Sequence, residues 1–305
     1  EVLTEKETAF VFLQHLSDLY VIKTDGLAAG KGVLVTSDIT EAKQAVTEYL
    51  SGKAFGISGK RIVIEEGLTG PEISLLAVCD GQTAVPLASA QDFKRLKDQD
   101  EGPNTGGMGA YSPVPFFEEN LVKKIMDIAV IPTLEALKRK GIDYRGVLYC
   151  GLMITPDGPK VLEYNARFGD PETQVVIPRL KTDLAELLAS AASGSINSEP
   201  IFSNEAAVAV VCASESYPEN PRIGDFIEGL SLVQKMKGIN IFFSGVGRSN
   251  DGLVTDGGRV LTITGMGATL EKARKLTYEA VSKISWPGMQ KRQDIASNFE
   301  LYKNE

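Results

Sequence analysis

Short apolar runs separated by glycine-rich turns alternate along the chain with stretches in which apolar residues recur every three or four positions. Runs of the first kind predict strands, and stretches of the second kind predict amphipathic helices. The predicted helices cover 3–19, 40–50, 118–140, 172–193 and 268–284. Small polar residues at 193–200 suit a boundary between a domain at 1–192 and a second domain at 193–305. The chain is therefore predicted to have an α+β fold with two domains.

Residues 161–172, VLEYNARFGDPE, combine a strand pattern with a dense set of polar side chains. The preceding turn, TPDGP, predicts a hairpin that this strand closes. Side chains alternate faces along a strand, so Glu163 and Asn165 should point the same way, with Arg167 if the strand continues. A carboxylate and an amide oxygen at this spacing suit Mg²⁺, which keeps its other positions for water and phosphates. The alternative is an exposed strand on which Glu163 and Arg167 form a surface pair.

A glycine-rich segment at 21–32, VIKTDGLAAGKG, follows directly on an apolar run. Glycines let backbone N–H groups approach phosphate oxygens, and Lys23 and Lys31 would add positive charge. The segment predicts a nucleotide phosphate loop. It does not fit a Walker A loop, because Gly32 stands where that motif needs serine or threonine and the next residues continue as a strand. A solvated hairpin lysine is the alternative for Lys31.

Two further segments carry weaker signals. A strand pattern ends in Glu65 and Glu66 and is followed after a turn by Glu72, so it could offer backbone groups to a base and a carboxylate to a ribose. Glycines and prolines recur through residues 91–113 and predict a long irregular segment, and such loops are usually functional. The GGMG sequence within it does not match a dinucleotide fingerprint.

Four motifs together carry a family resemblance. They are KTDGLAAGKG, VIEEGLTGPEIS, QDFKRLKDQDEGPNTGGMGAYSP and VLEYNARFGDPETQ, and they span roughly residues 20–190. The set resembles the ATP-grasp ligases and, within them, the phosphoribosylamine-glycine ligase family of purine synthesis. The resemblance implies an ATP-grasp fold, in which two α+β lobes clamp ATP, with a lid at about 20–67 and a small C-terminal α/β domain.

The resemblance also implies roles for individual residues. ATP would be bound by Lys23, Gly30, Lys31, Gly32, Glu65, Glu66, Leu68 and Glu72, and Mg²⁺ or Mn²⁺ by Glu163 and Asn165. Substrates would be bound by Asp92, Lys94, Asn104, Thr105, Gly106, Gly107, Arg167 and Asp170. Arg167 and Lys31 would be the catalytic residues. Gly151 stands where many ATP-grasp enzymes have another carboxylate, which argues against a second metal held by the protein.

The implied reaction joins glycine to 5-phosphoribosylamine. Transfer of the γ-phosphoryl group of ATP to glycine would give glycyl phosphate, and the amine would then displace phosphate to give glycinamide ribonucleotide. Positioning and charge neutralisation account for catalysis of this kind. The single histidine, His15, lies in a helical pattern remote from every glycine-rich segment and is predicted to be a helix-face residue.

The composition of the chain argues against some classes of binding partner. The 305 residues are 43% hydrophobic and can form a sizeable core, and a net charge of −8 argues against nonspecific binding to nucleic acid or to an anionic membrane. The isolated cysteines Cys79, Cys150 and Cys212 indicate reduced, buried thiols. No apolar run reaches transmembrane length, and no signal peptide pattern is visible. We therefore expect a cytoplasmic monomer with small-molecule substrates.

The chain begins EVLTEKETAF, without methionine, whereas the family it resembles has an N-terminal Rossmann-like domain that helps to bind phosphoribosylamine. That domain is expected to be missing here. Two hypotheses of different classes follow. The chain is a ligase or its catalytic core, or it is a truncated or degenerate ATP-binding module that binds Mg·ATP without turnover. Another purine-pathway ATP-grasp ligase, acting on a different carboxylate, is the alternative within the ligases.

Overall fold

The computed structural model describes residues 1–26 and 32–297. By its internal contacts the chain divides into two compact units, Glu1–Gly70 and Pro71–Glu305. The strands are β1 (Val2–Leu3), β2 (Tyr20–Thr24), β3 (Val33–Thr36), β4 (Ile62–Glu66), β5 (Glu72–Asp80), β6 (Ala84–Pro86), β7 (Gln91–Asp92), β8 (Arg95–Lys97), β9 (Glu101–Asn104), β10 (Gly109–Ser112), β11 (Arg145–Thr155), β12 (Gly158–Asn165), β13 (Ala206–Ala213), β14 (Ile239–Phe243), β15 (Val246–Ser249), β16 (Gly252–Thr255) and β17 (Arg259–Gly267). The helices are α1 (Lys6–Leu13), α2 (Ile39–Leu50), α3 (Glu119–Ile125), α4 (Ile131–Arg139), α5 (Thr173–Val176), α6 (Leu184–Ser193), α7 (Leu230–Val233) and α8 (Leu270–Val281).

The first unit contains an antiparallel sheet in the order β1-β4-β2-β3, packed against α1 and α2. Period-2 alternation buries Ile22, Ile62 and Ile64 against Leu13 and Val46 of the two helices. The Asp38 carboxylate accepts the N–H of Thr40 at 2.7 Å and begins α2. The strands and the helix predicted within 20–67 are confirmed.

The prediction of one helix over 3–19 is wrong at both ends. Val2 and Leu3 pair with Val63 and Ile62 as a strand, so the helix begins only at Lys6. Pairing with a strand sixty residues later is a nonlocal interaction that helical periodicity cannot register. His15 lies in the turn after α1, with Nδ1 2.8 Å from the Val11 carbonyl oxygen, and is exposed rather than on the face of the helix.

The second unit is built around two antiparallel sheets, ordered β12-β11-β5-β6 and β14-β17-β13-β10-β7. One core cluster includes Leu75 and Cys150 from the first of these sheets, Ile263 from the second, and side chains of α3, α4 and α8. A second cluster holds the opposite faces of both sheets together with α5 and α6. Both sheets therefore contribute to two hydrophobic clusters, one on each face.

The hairpin predicted before residue 161 is confirmed. It joins β11 to β12 through the turn at Pro156 and Asp157, and Gly158 has a φ of +111° that favours glycine. The ladder contains a bulge, because Gly151 pairs with Glu163 while Leu152 pairs with Val161. The extra residue, Leu162, reverses the alternation of side chains between the two faces, so the end of β12 follows a different alternation from the part near the turn.

Residues 91–113 are not the irregular segment that their glycines and prolines predicted. They form the strands β7, β8, β9 and β10. β10 pairs with β13, a hundred residues later, in the register Tyr111↔Val208. Gly109 belongs to this pairing for a steric reason, since a Cβ atom there would lie 2.6 Å from the carbonyl oxygen of Ala209. The glycine is needed for close packing within a sheet and does not end the strand.

The remaining helical predictions are confirmed with two interruptions. The helix expected over 118–140 contains a π-helical turn at Met126–Val130, and the one over 172–193 is broken between α5 and α6. The predicted strands beyond 200 and the helix at 268–284 are present. The domain boundary at 192/193 lies inside the second compact unit and stays a prediction about domain organisation.

All three cysteines are buried, free thiols on strands, as the sequence predicted. Burial raises the pKa of Cys79, Cys150 and Cys212 to about 12 in each case. Among the helices of residues 1–26 and 32–297, none combines the length and the apolar character that a membrane crossing requires.

Leu75 is fully buried in β5, and Leu75→Ala should lower the free energy of unfolding by about 2–5 kcal/mol, because it removes apolar contacts and leaves a cavity. The matched control is Leu232→Ala in α7, where the residue is 57% exposed and the change should stay within about 0.5 kcal/mol. Urea denaturation measures both. Equal effects of the two substitutions would contradict the assignment of the core.

Candidate functional site

The register of three neighbouring strands in the second unit gathers polar side chains on one face of a sheet. Gly151 of β11 lies opposite Ser74 of β5 on one side and opposite Glu163 of β12 on the other. Tyr149 pairs with Asn165 two positions along the same face. Residues directly opposite each other in a ladder share a face, so four polar side chains from three strands lie together.

Glu163 and Asn165 are adjacent, as the strand periodicity predicted. The Asn165 Nδ2 group donates to Glu163 Oε1 at 3.2 Å. Arg167 does not continue this row, because β12 ends at Asn165. Its Nη1 group donates to the Phe168 carbonyl oxygen at 2.9 Å, and the residue is exposed.

The donor set around Glu163 and Asn165 fits a metal that takes few protein ligands. A Cβ atom at Gly151 would lie 3.2 Å from Glu163 Cγ, so this glycine directly adjoins the Glu163 side chain. Within residues 1–26 and 32–297, no group of three or more histidine, cysteine, aspartate or glutamate side chains is arranged to hold a metal ion. One carboxylate and one amide oxygen suit Mg²⁺, which keeps several positions for water and phosphate oxygens.

Glu172 belongs to the polar segment 161–172 that the sequence singled out, but sequence reasoning gave it no role. It is only 3% exposed, and its Oε1 atom accepts the Ser74 hydroxyl at 2.9 Å. Ser74 Oγ also lies 2.8 Å from the Tyr149 hydroxyl oxygen. A polar Ser74 within an otherwise apolar strand was the available signal. These three groups form a buried hydrogen-bonded chain that fixes the Glu172 carboxylate.

Asp92 at the end of β7 is a second buried carboxylate. Its side chain is 6% exposed and lies 3.9 Å from Lys94, measured from Oδ2 to Nζ. Its Oδ1 atom is buried and accepts no hydrogen bond from the part of the chain that the structure describes. Burial, followed by the nearby charge of Glu172, raises the pKa of Asp92 well above its usual range. The site therefore contains two buried carboxyl groups, those of Asp92 and Glu172.

The predicted substrate residues around Lys94 are connected to each other. Lys94 forms an ion pair with Glu72, the residue expected to bind the ribose of ATP. The Thr105 hydroxyl donates to the Lys94 carbonyl oxygen at 2.8 Å and accepts the N–H of Gly107 at 3.0 Å. Asn104 lies exposed in β9, opposite Arg95. The structure thus brings Glu72, Asp92, Lys94 and Thr105 into one cluster.

Asp170 and the glycines at 106 and 107 share a partner that the sequence did not indicate. Arg259 Nη2 donates to Asp170 Oδ2 at 2.9 Å, and Arg259 Nη1 donates to the Gly106 carbonyl oxygen at 2.7 Å. The Tyr217 hydroxyl accepts the N–H of Gly106 at 2.9 Å. Predicted substrate residues are therefore held by side chains from beyond residue 200.

The first unit carries the other predicted nucleotide-binding residues. Lys23 Nζ lies 2.6 Å from Glu65 Oε2 on the face opposite Ile22 and Ile64. Gly32 accepts the N–H of Thr24 at 2.9 Å and closes the base of the glycine-rich hairpin, after which β3 follows as a strand. Glu66 ends β4, and Leu68 lies in the segment after it. Gly30 and Lys31 lie outside the described residues.

Comparison with protein-family models gives two matches. The ATP-grasp (A) domain of phosphoribosylglycinamide synthetase matches residues 1–173, and the C domain of the same family matches residues 207–298. A phosphoribosylamine–glycine ligase of Streptomyces coelicolor is 50% identical over 282 residues, which cover 91% of this chain. The chain spans 65% of that relative's length.

Solved structures give the same result. The crystal structure of a phosphoribosylamine–glycine ligase from Thermotoga maritima matches with a TM-score of 0.87 and 36% identity, and covers 97% of this chain and 73% of its own. The biotin carboxylase domain of the Hydrogenobacter thermophilus 2-oxoglutarate carboxylase matches with a TM-score of 0.69 at 14% identity, covering 100% of this chain and 65% of its own. The second likeness shows the ATP-grasp fold alone.

Asp92→Asn should become more stable relative to the wild type as pH rises. The folded state binds the Asp92 proton more tightly than the unfolded chain, so the wild type loses stability as pH rises above the ordinary carboxyl pKa. The difference in melting temperature should therefore grow between about pH 4 and pH 8, measured without nucleotide or metal. Asp251→Asn, at an exposed turn, is the matched control. A difference that stays constant with pH would contradict the raised pKa.

Proposed function

The chain belongs to the phosphoribosylglycinamide synthetase family, and from this we propose that it carries the catalytic residues for ATP-dependent ligation of glycine to 5-phosphoribosylamine. The product would be glycinamide ribonucleotide, with ADP and phosphate, in purine synthesis. One observation carries the proposal: the pair Glu163 and Asn165 shares its sheet face with the Ser74–Tyr149 group that holds the buried Glu172 carboxylate.

Glu163 and Asn165 are the residues that would hold Mg²⁺ or Mn²⁺. When bound, the ion would neutralise charge on the phosphate oxygens of ATP. Lys23, Lys31 and the glycines at 30 and 32 would bind the phosphates, and the backbone of Glu65, Glu66 and Leu68 would contact the adenine. The ion pair between Lys23 and Glu65 supports this assignment, because it holds the Lys23 ammonium group beside β4, the strand that would contact the adenine.

In the first step a glycine carboxylate oxygen attacks the γ-phosphorus of ATP, and the bond to ADP breaks. Arg167 is the residue proposed to neutralise the carboxylate and the resulting acyl phosphate. Its exposed position just after β12 supports this role, since the guanidinium can reach a ligand without breaking a buried ion pair. Positioning and charge neutralisation supply most of the catalytic effect in reactions of this type.

In the second step the amine attacks the acyl carbon, phosphate leaves, and the nitrogen loses a proton to the departing phosphate or to solvent. We assign the amine-bearing end of a substrate to the acidic group formed by Asp92 and Glu172. Both carboxylates are buried, and Asp92 Oδ1 lacks a hydrogen-bond donor among the described residues. An N–H group of a substrate would supply that donor and offset the negative charge. Thr105, Gly106, Gly107 and Asn104 would line the same region.

We further propose that the protein is a cytoplasmic monomer. The three buried, free thiols support a reducing compartment. The net charge of −8 supports small-molecule substrates over nucleic acid.

Glu163→Gln should weaken Mg²⁺-dependent ATP binding by about tenfold, because it removes the anionic oxygens of the proposed metal site. Titration calorimetry with Mg·ATP measures this. Glu119→Gln, at the exposed start of α3, is the control and should leave the affinity unchanged. Equal affinities in the wild type and in Glu163→Gln would contradict the metal assignment.

The 305-residue chain should gain thermal stability when Mg·ATP is added, because a ligand that binds the folded state stabilises it. It should nevertheless form almost no glycinamide ribonucleotide, because it spans only 65% of the length of its Streptomyces coelicolor relative and incomplete positioning of the amine can remove about 7–11 kcal/mol of rate advantage. A polypeptide extended to the length of the relatives should restore ligation. The proposal fails if the extended protein shows no glycine- and amine-dependent release of ADP.

A further inference from the structure

We propose that Arg259, the first residue of β17, is a positioning residue for the reaction. Its guanidinium holds the turn at Gly106 and Gly107 against the turn at Asp170, and so fixes the backbone that lines the amine-binding region. This inference rests on the proposed function for its catalytic meaning. The contacts of Arg259 with the two turns are observed whether or not the proposed function is correct.

The guanidinium of Arg259 bridges the two turns through several hydrogen bonds. Nη1 donates to the carbonyl oxygens of Gly106 at 2.7 Å, of Asp170 at 3.0 Å and of Gly107 at 3.4 Å. The two nitrogens also bind the Asp170 carboxylate, with Nη1 3.2 Å from Oδ1 and Nη2 2.9 Å from Oδ2. A planar fork of donors is needed for such an arrangement, because one nitrogen must serve a carboxylate and main-chain oxygens at the same time.

Close contacts at the two turns explain the first two glycines of the GGMG motif. A Cβ atom at Gly106 would lie 2.9 Å from Arg259 Cζ, and one at Gly107 would lie 2.4 Å from Pro171 Cδ. Gly107 also has a φ of +108°, which favours glycine. Absence of side chains lets the guanidinium and the proline lie directly on the turn. The same absence makes the turn costly to order, so an external anchor is required to hold it.

A second anchor comes from the same region of the chain. The Tyr217 hydroxyl accepts the N–H of Gly106 at 2.9 Å. A Cβ atom at Gly258, the residue before Arg259, would lie 2.4 Å from Tyr217 Cδ2, so the ring lies against the start of β17. Tyr217 and Arg259 both fall within residues 207–298, which match the C domain of the family. The C domain therefore contributes directly to the proposed amine site.

Arg222, also in the second unit, forms only local ion pairs and serves as a comparison for Arg259. Arg222 pairs with Glu215 and with Asp225, and donates to the Pro287 carbonyl oxygen at 2.9 Å. Its side chain is 44% exposed, compared with 21% for Arg259. All these partners of Arg222 lie beyond residue 200, away from the substrate turns. Exposed pairs of this kind contribute little, which makes Arg222 a matched control.

Hydrogen–deuterium exchange on the 305-residue chain tests the positioning without requiring activity. Arg259→Ala should raise the exchange rates of peptides covering 104–109 and 167–171 by about tenfold, while Arg222→Ala leaves them unchanged. Arg259→Lys should resemble Arg259→Ala, because lysine lacks the fork. Tyr217→Phe should affect only 104–109. If Arg259→Ala folds poorly, Asp170→Asn removes the ion pair and should raise exchange in the same two peptides. Unchanged exchange in Arg259→Ala, or equal changes in Arg222→Ala, would overturn the proposal.

Kinetics of the extended polypeptide test the catalytic meaning. Arg259→Ala should raise KM for the amine by about tenfold and leave KM for ATP within about twofold, since only the amine region is displaced. Arg222→Ala should change neither. Equal rises in both KM values, or no rise, would overturn the positioning role. If the wild-type extended protein shows no ligation, the proposed function fails, while the exchange result still decides whether Arg259 holds the turns.

Discussion

The register of β11 between β5 and β12 determines where the polar groups of the site lie. Gly151 is opposite Ser74 and Glu163, and the face that these residues share also carries Tyr149 and Asn165. The opposite face packs into the main hydrophobic cluster. A shift of β12 by one residue would exchange its two faces and turn the Glu163 carboxylate toward the hydrophobic cluster. Because such a shift would be unfavourable, the pairing of the strands fixes the positions of the polar groups.

The polar groups of the site include two buried carboxyl groups, those of Asp92 and Glu172. Glu172 is fixed by Ser74 and Tyr149, and Asp92 lies close enough for the two charges to interact. Desolvation of carboxylates is unfavourable unless a donor or a cation compensates, and Lys94 is shared with Glu72. A ligand that brings N–H groups would therefore bind to an arrangement already organised for it.

The C-terminal part of the chain contacts residues 91–113 at two places. Arg259 holds the glycine turn, and Arg292 holds the hairpin formed by β8 and β9. Arg292 is almost completely buried, lies 2.6 Å from Asp100 Oδ1 and from Asp294 Oδ2, and has its guanidinium 4.9 Å from the centre of the Phe93 ring. Its two carboxylate partners compensate for burial of the charge. Residues 91–113 are thus held by Arg259 and Arg292, which follow their partners Gly106 and Asp100 by more than 150 residues.

The sequence alone determined the features that depend on neighbouring residues. The β11–β12 hairpin, the shared face of Glu163 and Asn165 and the strand after the glycine-rich loop all follow from period-2 alternation and turn chemistry, and the four motifs identified the family. Only the tertiary structure decided the rest. Glu172 meets Ser74 from 98 positions away, and Arg259 meets Asp170 from 89 positions away. The helix over 3–19 and the irregular segment at 91–113 were wrongly predicted for the same reason, since pairing with distant strands overrides local preference. Local patterns fix which face a side chain takes, whereas the partner it meets depends on how the whole chain packs.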